Sequence, residues 1–179
     1  MANDINAALQ FFKDMQYEAQ QALVSVLNEA GTKLRKAAID EIGSQLNLTP
    51  EYISRHISVR QRANVRNLQV TISAESRPVL LERYDSEQHW RPGKTVPQRT
   101  DGVSVQVKRS GPRKKMRSAF FIRLRGSDTV GLAIRTGKGK NAYEVKHGPS
   151  VAQAYQSVRN DIEPSSDELL ALFFERFNP

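Results

Sequence analysis

The sequence predicts an α+β fold: a long N-terminal helical segment, a small antiparallel β-sheet of about four to six strands in the middle, and C-terminal helices. Two changes of hydrophobic period carry this expectation. Apolar residues recur at helical spacing through residue 48, alternate with polar ones between residues 68 and 135, and return to helical spacing after Gly148. Helices, then strands, then helices is an α+β order.

The first stripe runs through Ile5, Leu9, Phe12, Met15, Ala19, Leu23, Val26 and Leu27, then Leu34, Ala38 and Ile42. Gly31 is expected to break or bend this helix, because glycine costs about 1 kcal/mol inside one. Asn47 and Pro50 end the segment. Thr49 is placed to cap a second, short helix with Pro50 at its first position and Glu51 near its positive end, running to His56 or Ile57.

Strict alternation then marks strands in Leu68–Ala74, Val103–Lys108, Phe120–Arg125 and Val130–Arg135. Gly126-Ser-Asp reads as a hairpin turn between the last two. The stretch from Tyr84 to Gly102, with Pro92, Gly93 and Pro97, reads as an irregular loop or arm. Gly137 and Gly139, with lysines around them, make a further turn. Ser150 is a cap for a helix from Val151 to about Asn160, and Pro164-Ser-Ser-Asp-Glu starts another. The 179 residues suit one structural unit made of a helical segment 1–60, an antiparallel β region 61–148 with basic loops, and helices in 149–179.

Charge is unevenly placed. Residues 51–150 hold 21 basic and 8 acidic side chains, whereas residues 1–50 hold 4 and 6 and residues 151–179 hold 2 and 5. The surplus fits a polyanionic partner such as nucleic acid, an acidic protein neighbour, or a solvated basic face. Six basic residues fall in the ten of Lys108-Arg-Ser-Gly-Pro-Arg-Lys-Lys-Met-Arg117, namely Lys108, Arg109, Arg113, Lys114, Lys115 and Arg117. Gly111 and Pro112 interrupt them, so the stretch reads as a loop between strands, suited to phosphates or to acidic groups.

The chain has no cysteine, so disulfides and thiolate metal sites do not arise. His56, His89 and His147 are far apart and show no metal-ligand spacing. Gly137-Lys-Gly-Lys lacks the phosphate-loop pattern, and no nucleophile elbow occurs. No catalytic centre, metal or cofactor is therefore expected. No apolar run approaches the roughly 20 residues of a membrane span, and the N-terminus lacks the pattern of a secretory signal.

Two further features suggest association. Trp90, in a polar stretch, is a candidate contact with a partner chain. The last helix carries Leu169, Phe173, Phe174 and Phe177, an apolar face closing on a core or on a neighbouring subunit. A separate reading attaches to residues 42–57, which resemble a helix-turn-helix. There Asn47 would take the left-handed position, and Tyr52, Ser54, Arg55 and Arg60 would face the major groove, making the chain a DNA-binding regulator.

Arg77-Pro-Val-Leu-Leu-Glu-Arg-Tyr, Gly102-Val-Ser-Val-Gln-Val, the basic stretch, Ala119-Phe-Phe-Ile, Ala133-Ile-Arg-Thr-Gly and Gly148-Pro-Ser-Val follow one another in an order that resembles minor tail protein Z of lambda-like long-tailed phages and prophages. Lys33-Leu-Arg-Lys-Ala-Ala and the residues after it extend the similarity, which spans roughly 25–155. The segment Asn141 to His147 departs from the family pattern. The resemblance implies a structural virion subunit, not an enzyme, that completes the tail at its head-proximal end after assembly in the host cytoplasm. It implies a homo-oligomeric ring, sixfold in related neck and tail proteins, meeting the tail terminator, tail tube and head connector. Non-specific contact with genomic DNA through the basic loops belongs to the same expectation, and residues 42–57 become a structural helix pair.

Overall fold

The computed structural model describes the backbone of residues 2–93 and 100–177 and side chains from residue 14 onward, except that of Met15. The packing expected of Ile5, Leu9, Phe12 and Met15, and the place of Pro97 in a loop, lie outside the described residues. The fold is α+β, with a long N-terminal helix, small antiparallel sheets and C-terminal helices.

Helix α1 (Ala2–Gln45) is continuous through 44 residues. The break expected at Gly31 does not occur. Gly31 is instead a point of close approach: a Cβ there would stand 2.5 Å from Cγ1 of Val70. The lost helix propensity is offset by letting the chain before the second strand lie against α1. Val26, Ala30, Ala38 and Ile42 form its buried stripe, at four- and eight-residue intervals, and the buried Leu46 follows just past its end.

Helix α2 (Pro50–His56) follows after four residues, capped by the Thr49 hydroxyl, which accepts from the Tyr52 amide. Strand β1 (Ile57–Gln61) pairs with β2 (Thr71–Ala74), with Ile57 opposite Ala74. β2 starts three residues later than the alternation suggested, and Leu68 is exposed. Asn28 of α1 fastens the intervening segment: its side-chain amide donates to the Ala63 carbonyl at 3.0 Å, and its carbonyl oxygen accepts from the Ala63 amide at 2.9 Å.

Three further sheets complete the middle. β3 (Pro78–Leu80) pairs with β10 (His147–Ser150). β4 (Asp85–Trp90), β5 (Thr100–Gln106) and β6 (Lys114–Met116) form one three-stranded sheet. β7 (Ala119–Arg123), β8 (Val130–Arg135) and β9 (Tyr143–Val145) form another. The stretch from Tyr84 to Gly102 is thus not an arm throughout, since its first part is β4, and the end of the basic stretch is β6. Gly126 has φ +76°, the left-handed geometry that turns the β7–β8 hairpin.

Helix α3 (Val151–Ile162) begins with a reciprocal capping box between Ser150 and Gln153. Helix α4 (Ser166–Phe177) repeats the device with Ser165 and Glu168. Ile42, Ile53, Ile57, Val79, Val103, Leu132, Val151 and Val158 make the centre of the core, so α1, α2, the strands and α3 share one interior.

Gly31 supplies a direct test of this packing. Ala is the better helix former by about 1 kcal/mol, yet overpacking costs about 1–3 kcal/mol. Gly31→Ala should therefore lower stability in chemical denaturation. Gly31→Ala combined with Val70→Ala should recover part of the loss relative to the two single changes summed. Simple stabilisation by Gly31→Ala would contradict the close approach.

Candidate partner-binding surfaces

The basic stretch is anchored rather than loose. Its start is tied to the end of α1: the Arg109 amide donates to the Gln45 carbonyl at 2.9 Å, and Arg109 Nε reaches the Leu46 carbonyl at 3.4 Å. The Asn47 amide and side chain donate to the carbonyls of Val107 and Gln106. Carbonyls at the end of a helix need partners, and a cation is the favourable one there. The Gln106 side chain donates to Arg109 and Gly111 carbonyls, bracing the turn from inside.

The six cations separate into two groups. Arg113 is paired with Asp85 and lies 4.0 Å from Glu87, and it donates to Ser104 Oγ. Lys115 pairs with Asp101 at 2.6 Å, and Arg91 takes the same carboxylate at 2.9 Å. These two, with Arg109, hold the β4–β5–β6 sheet and the end of α1. Lys108, Lys114 and Arg117 are exposed and, among the described residues, have no carboxylate at ion-pair distance. Gly102, at φ +86°, lets β6 approach, because a Cβ there would lie 2.2 Å from the Met116 carbonyl. The expectation that the whole stretch is a loop is therefore corrected: Lys114–Met116 is β6, and three of the six cations, all of them exposed, are tied to neighbouring groups.

Residues 42–57 fold as the end of α1, a four-residue turn and α2, and several of the positions expected of a helix-turn-helix lie elsewhere. Among the described residues no non-glycine has positive φ, so Asn47 does not take the left-handed position. Arg60 lies on β1, and α2 has seven residues. Ser54 is occupied by Arg35, whose Nη2 donates to its carbonyl at 2.8 Å and its hydroxyl at 2.9 Å while Nε donates to the Ile57 carbonyl at 2.9 Å. Tyr52 stacks on His56 with centroids 4.1 Å apart, and Arg83 sits 5.9 Å above the Tyr52 ring. Burial pushes the Tyr52 hydroxyl above its ordinary pKa. Arg55 is exposed.

Those side chains open onto a cleft of about 680 Å³, whose walls also include Arg77, Leu124 and His147. Nothing in the sequence signals it, since it joins α2, the 75–83 segment, the β7–β8 hairpin and β10.

Trp90 ends β4 and is 52% exposed. In α4, Leu169 and Leu172 line a groove of about 460 Å³ against Ala30, Leu34 and Ala37 of α1. Arg176 donates to Ser25 and Glu29 of α1. Lys33 and Arg176 beside Glu29 hold its carboxyl below the usual range. A second stripe, Leu170, Phe174 and Phe177, is displaced around the helix. Leu170 is 52% and Phe174 62% exposed, and Phe173 stacks on Phe177 with centroids 5.4 Å apart. The sequence pointed to Leu169, Phe173, Phe174 and Phe177. Leu169 faces α1, and Leu170 joins Phe174 outside.

His89 Nε2 lies 2.7 Å from Ser104 Oγ, a nucleophile–base distance, but Ser104 is 2% exposed and also accepts from Arg113. No group of three or more His, Asp or Glu side chains that could hold a metal occurs among the described residues. No described helix is long and apolar enough to cross a membrane. Comparison with known proteins returns no matching family model, no curated protein and no solved structure.

Asp101 gives the sheet a pH signature. Hydrogen bonds from Lys115 and Arg91 hold its carboxyl at about 2, from an ordinary 3.8. A depressed carboxylate contributes stability that is full above its unfolded pKa and is lost as pH falls through the folded one. Asp101→Asn should therefore be less stable than the parent at pH 7, and the gap should narrow between about pH 4 and pH 2 in acid-dependent denaturation curves. A gap that does not change with pH would remove Asp101 as the cause.

Proposed function

We propose that this chain is a structural virion protein, a tail completion and head–tail joining subunit at the head-proximal end of a long-tailed phage tail. The ordered series of segments from Lys33 to Val151 that resembles minor tail protein Z carries the reading. The surfaces are of the kind an assembly subunit needs. Leu170 and Phe174 stand exposed on α4, and the residue 51–150 region keeps a basic surplus on its outside. The subunit works by association: the α4 face and the long α1 helix join copies into a ring and to the tail terminator and tail tube. Lys108, Lys114 and Arg117 meet phosphates of the passing DNA or acidic groups of the head connector. Chemistry plays no part, and no cofactor is called for. The short α2 and the engagement of Ser54 by Arg35 favour this over a base-reading regulator.

Electron microscopy of the purified protein mixed with phage tails tests the reading. A ring at one tail end is expected. A protein that stays monomeric at high concentration and leaves tails undecorated would sink it. Phe174→Ser with Leu170→Ser should weaken self-association by about 2 kcal/mol or more per buried anchor, seen in sedimentation. Any duplex DNA binding should ignore sequence. Lys108→Gln, Lys114→Gln and Arg117→Gln together should flatten its log–log salt slope by about 0.9 for each phosphate contact removed. A sequence-selective duplex site lost on Arg55→Ala would restore the regulator.

A further inference from the structure

Six of the eight acidic side chains in residues 51–150 form ion pairs with Arg or Lys. The remaining guanidinium charge is not spread evenly, because part of it converges on one concave place. The cleft of about 680 Å³ is walled by Arg55 and His56 of α2, by Arg77 and by Arg83 of the turn after β3, and by His147 of β10. Arg83 stands 5.9 Å over the Tyr52 ring, and both Arg77 and Arg83 are near enough to act electrostatically on the Tyr52 hydroxyl.

Against three guanidiniums the walls set one carboxylate, Glu75, and it lies 3.5 Å from His56 Nε2. Arg55 and Arg77 have no carboxylate at ion-pair distance among the described residues, and Arg83 has only its neighbour Glu82 at 3.7 Å. The negative end of α2 accounts for Arg55 and His56 in its last turn. It does not account for Arg77 and Arg83, which arrive from a different segment. The lining also includes the apolar Val79, Leu124 and Val145.

We propose that this cleft is a phosphate-binding site that takes a phosphate ester on the Arg55, Arg77 and Arg83 guanidiniums. Planar forks of donors match the oxygens of a phosphate, and a doubly charged anion answers more than one arginine, where a single carboxylate answers one. A cleft of this volume suits a ligand the size of a mononucleotide, whose base would meet the apolar Val79, Leu124 and Val145. The site goes beyond the tail-completion reading and does not rest on it, so either can fail alone.

The test uses the full chain and three probes in titration calorimetry at low salt: inorganic phosphate, thymidine monophosphate and a short oligothymidylate. Phosphate and the nucleotide are expected to bind saturably. Arg77→Gln with Arg83→Gln should raise both dissociation constants about tenfold or more, as expected for losing charge-assisted hydrogen bonds. Arg77→Lys with Arg83→Lys should retain part of the affinity. Lys138→Gln with Lys140→Gln removes the same charge elsewhere and should change nothing. Circular dichroism of each variant separates lost binding from lost fold. An oligonucleotide that binds more tightly than the nucleotide, with the same dependence on Arg77 and Arg83, identifies single-stranded nucleic acid as the source. Equal affinities identify a free phosphate ester. Absence of phosphate and nucleotide binding, or binding equally weakened by the Lys138 and Lys140 pair, overturns the site. So does preference for oligoglutamate over both phosphate probes, which would make the cleft a dock for an acidic peptide.

Discussion

The Arg35 guanidinium joins three stretches of chain that local forces leave apart. α2 has seven residues, too few to persist by itself, and its last carbonyls need donors. Arg35 reaches out of α1 and supplies them at Ser54 and Ile57, the second of which opens β1. One side chain thus closes the end of α2, sets the start of the first strand and fixes both against the long helix. Ile53 and Ile57, held in place this way, are among the least exposed side chains of the core. The outward face of the same short helix carries Tyr52 and Arg55, so the geometry of the cleft descends from the same contact.

The ionic surface follows a similar division between fastening and display. Asp85 and Asp101 draw Arg113 and Lys115 onto the β4–β5–β6 sheet, and Arg109 closes the end of α1. Exposed pairs of this kind add little stability one by one. Their effect is positional: they settle which cations stay free to meet something else. A run of six basic residues in the sequence therefore becomes three structural ties and three displayed charges.

Much of the architecture was legible in the sequence because it follows from burial. Val103, Val105, Leu132 and Ile134 mark strands by their spacing of two, although Ser104 and Ala133 between them are buried as well, so these strands are covered on both faces. Ser150 announces α3 through a local cap. β4 escaped notice because Asp85-Ser-Glu-Gln-His-Trp has no apolar face. Its inward groups are polar and are satisfied by hydrogen bonds, as where Gln88 donates to the Gly102 carbonyl. Gly31 misled because composition records its low helix propensity and says nothing of Val70, which meets it across 39 positions of chain. Asn47 misled likewise, since its partners Gln106 and Val107 lie far along the sequence. The cleft was invisible for the same reason, being assembled from four separated segments.

The continuity of α1 turns its length into a phase relation. An α-helix advances about 1.5 Å and turns about 100° per residue, and nothing interrupts this between Ala2 and Gln45. The described side chains at Gln16, Tyr17 and Glu18 are exposed, whereas burial is established from Val26 onward. A single residue gained or lost between these two zones would leave the anchored half undisturbed and yet swing the face ahead of it through more than a quarter turn. Seven residues would bring that face back to within about 20° of its bearing, shifted along the axis by about two turns. Length changes of about 7, 11 or 18 residues at that junction keep the bearing of the helix tip to within about 20°, and a change of one residue does not.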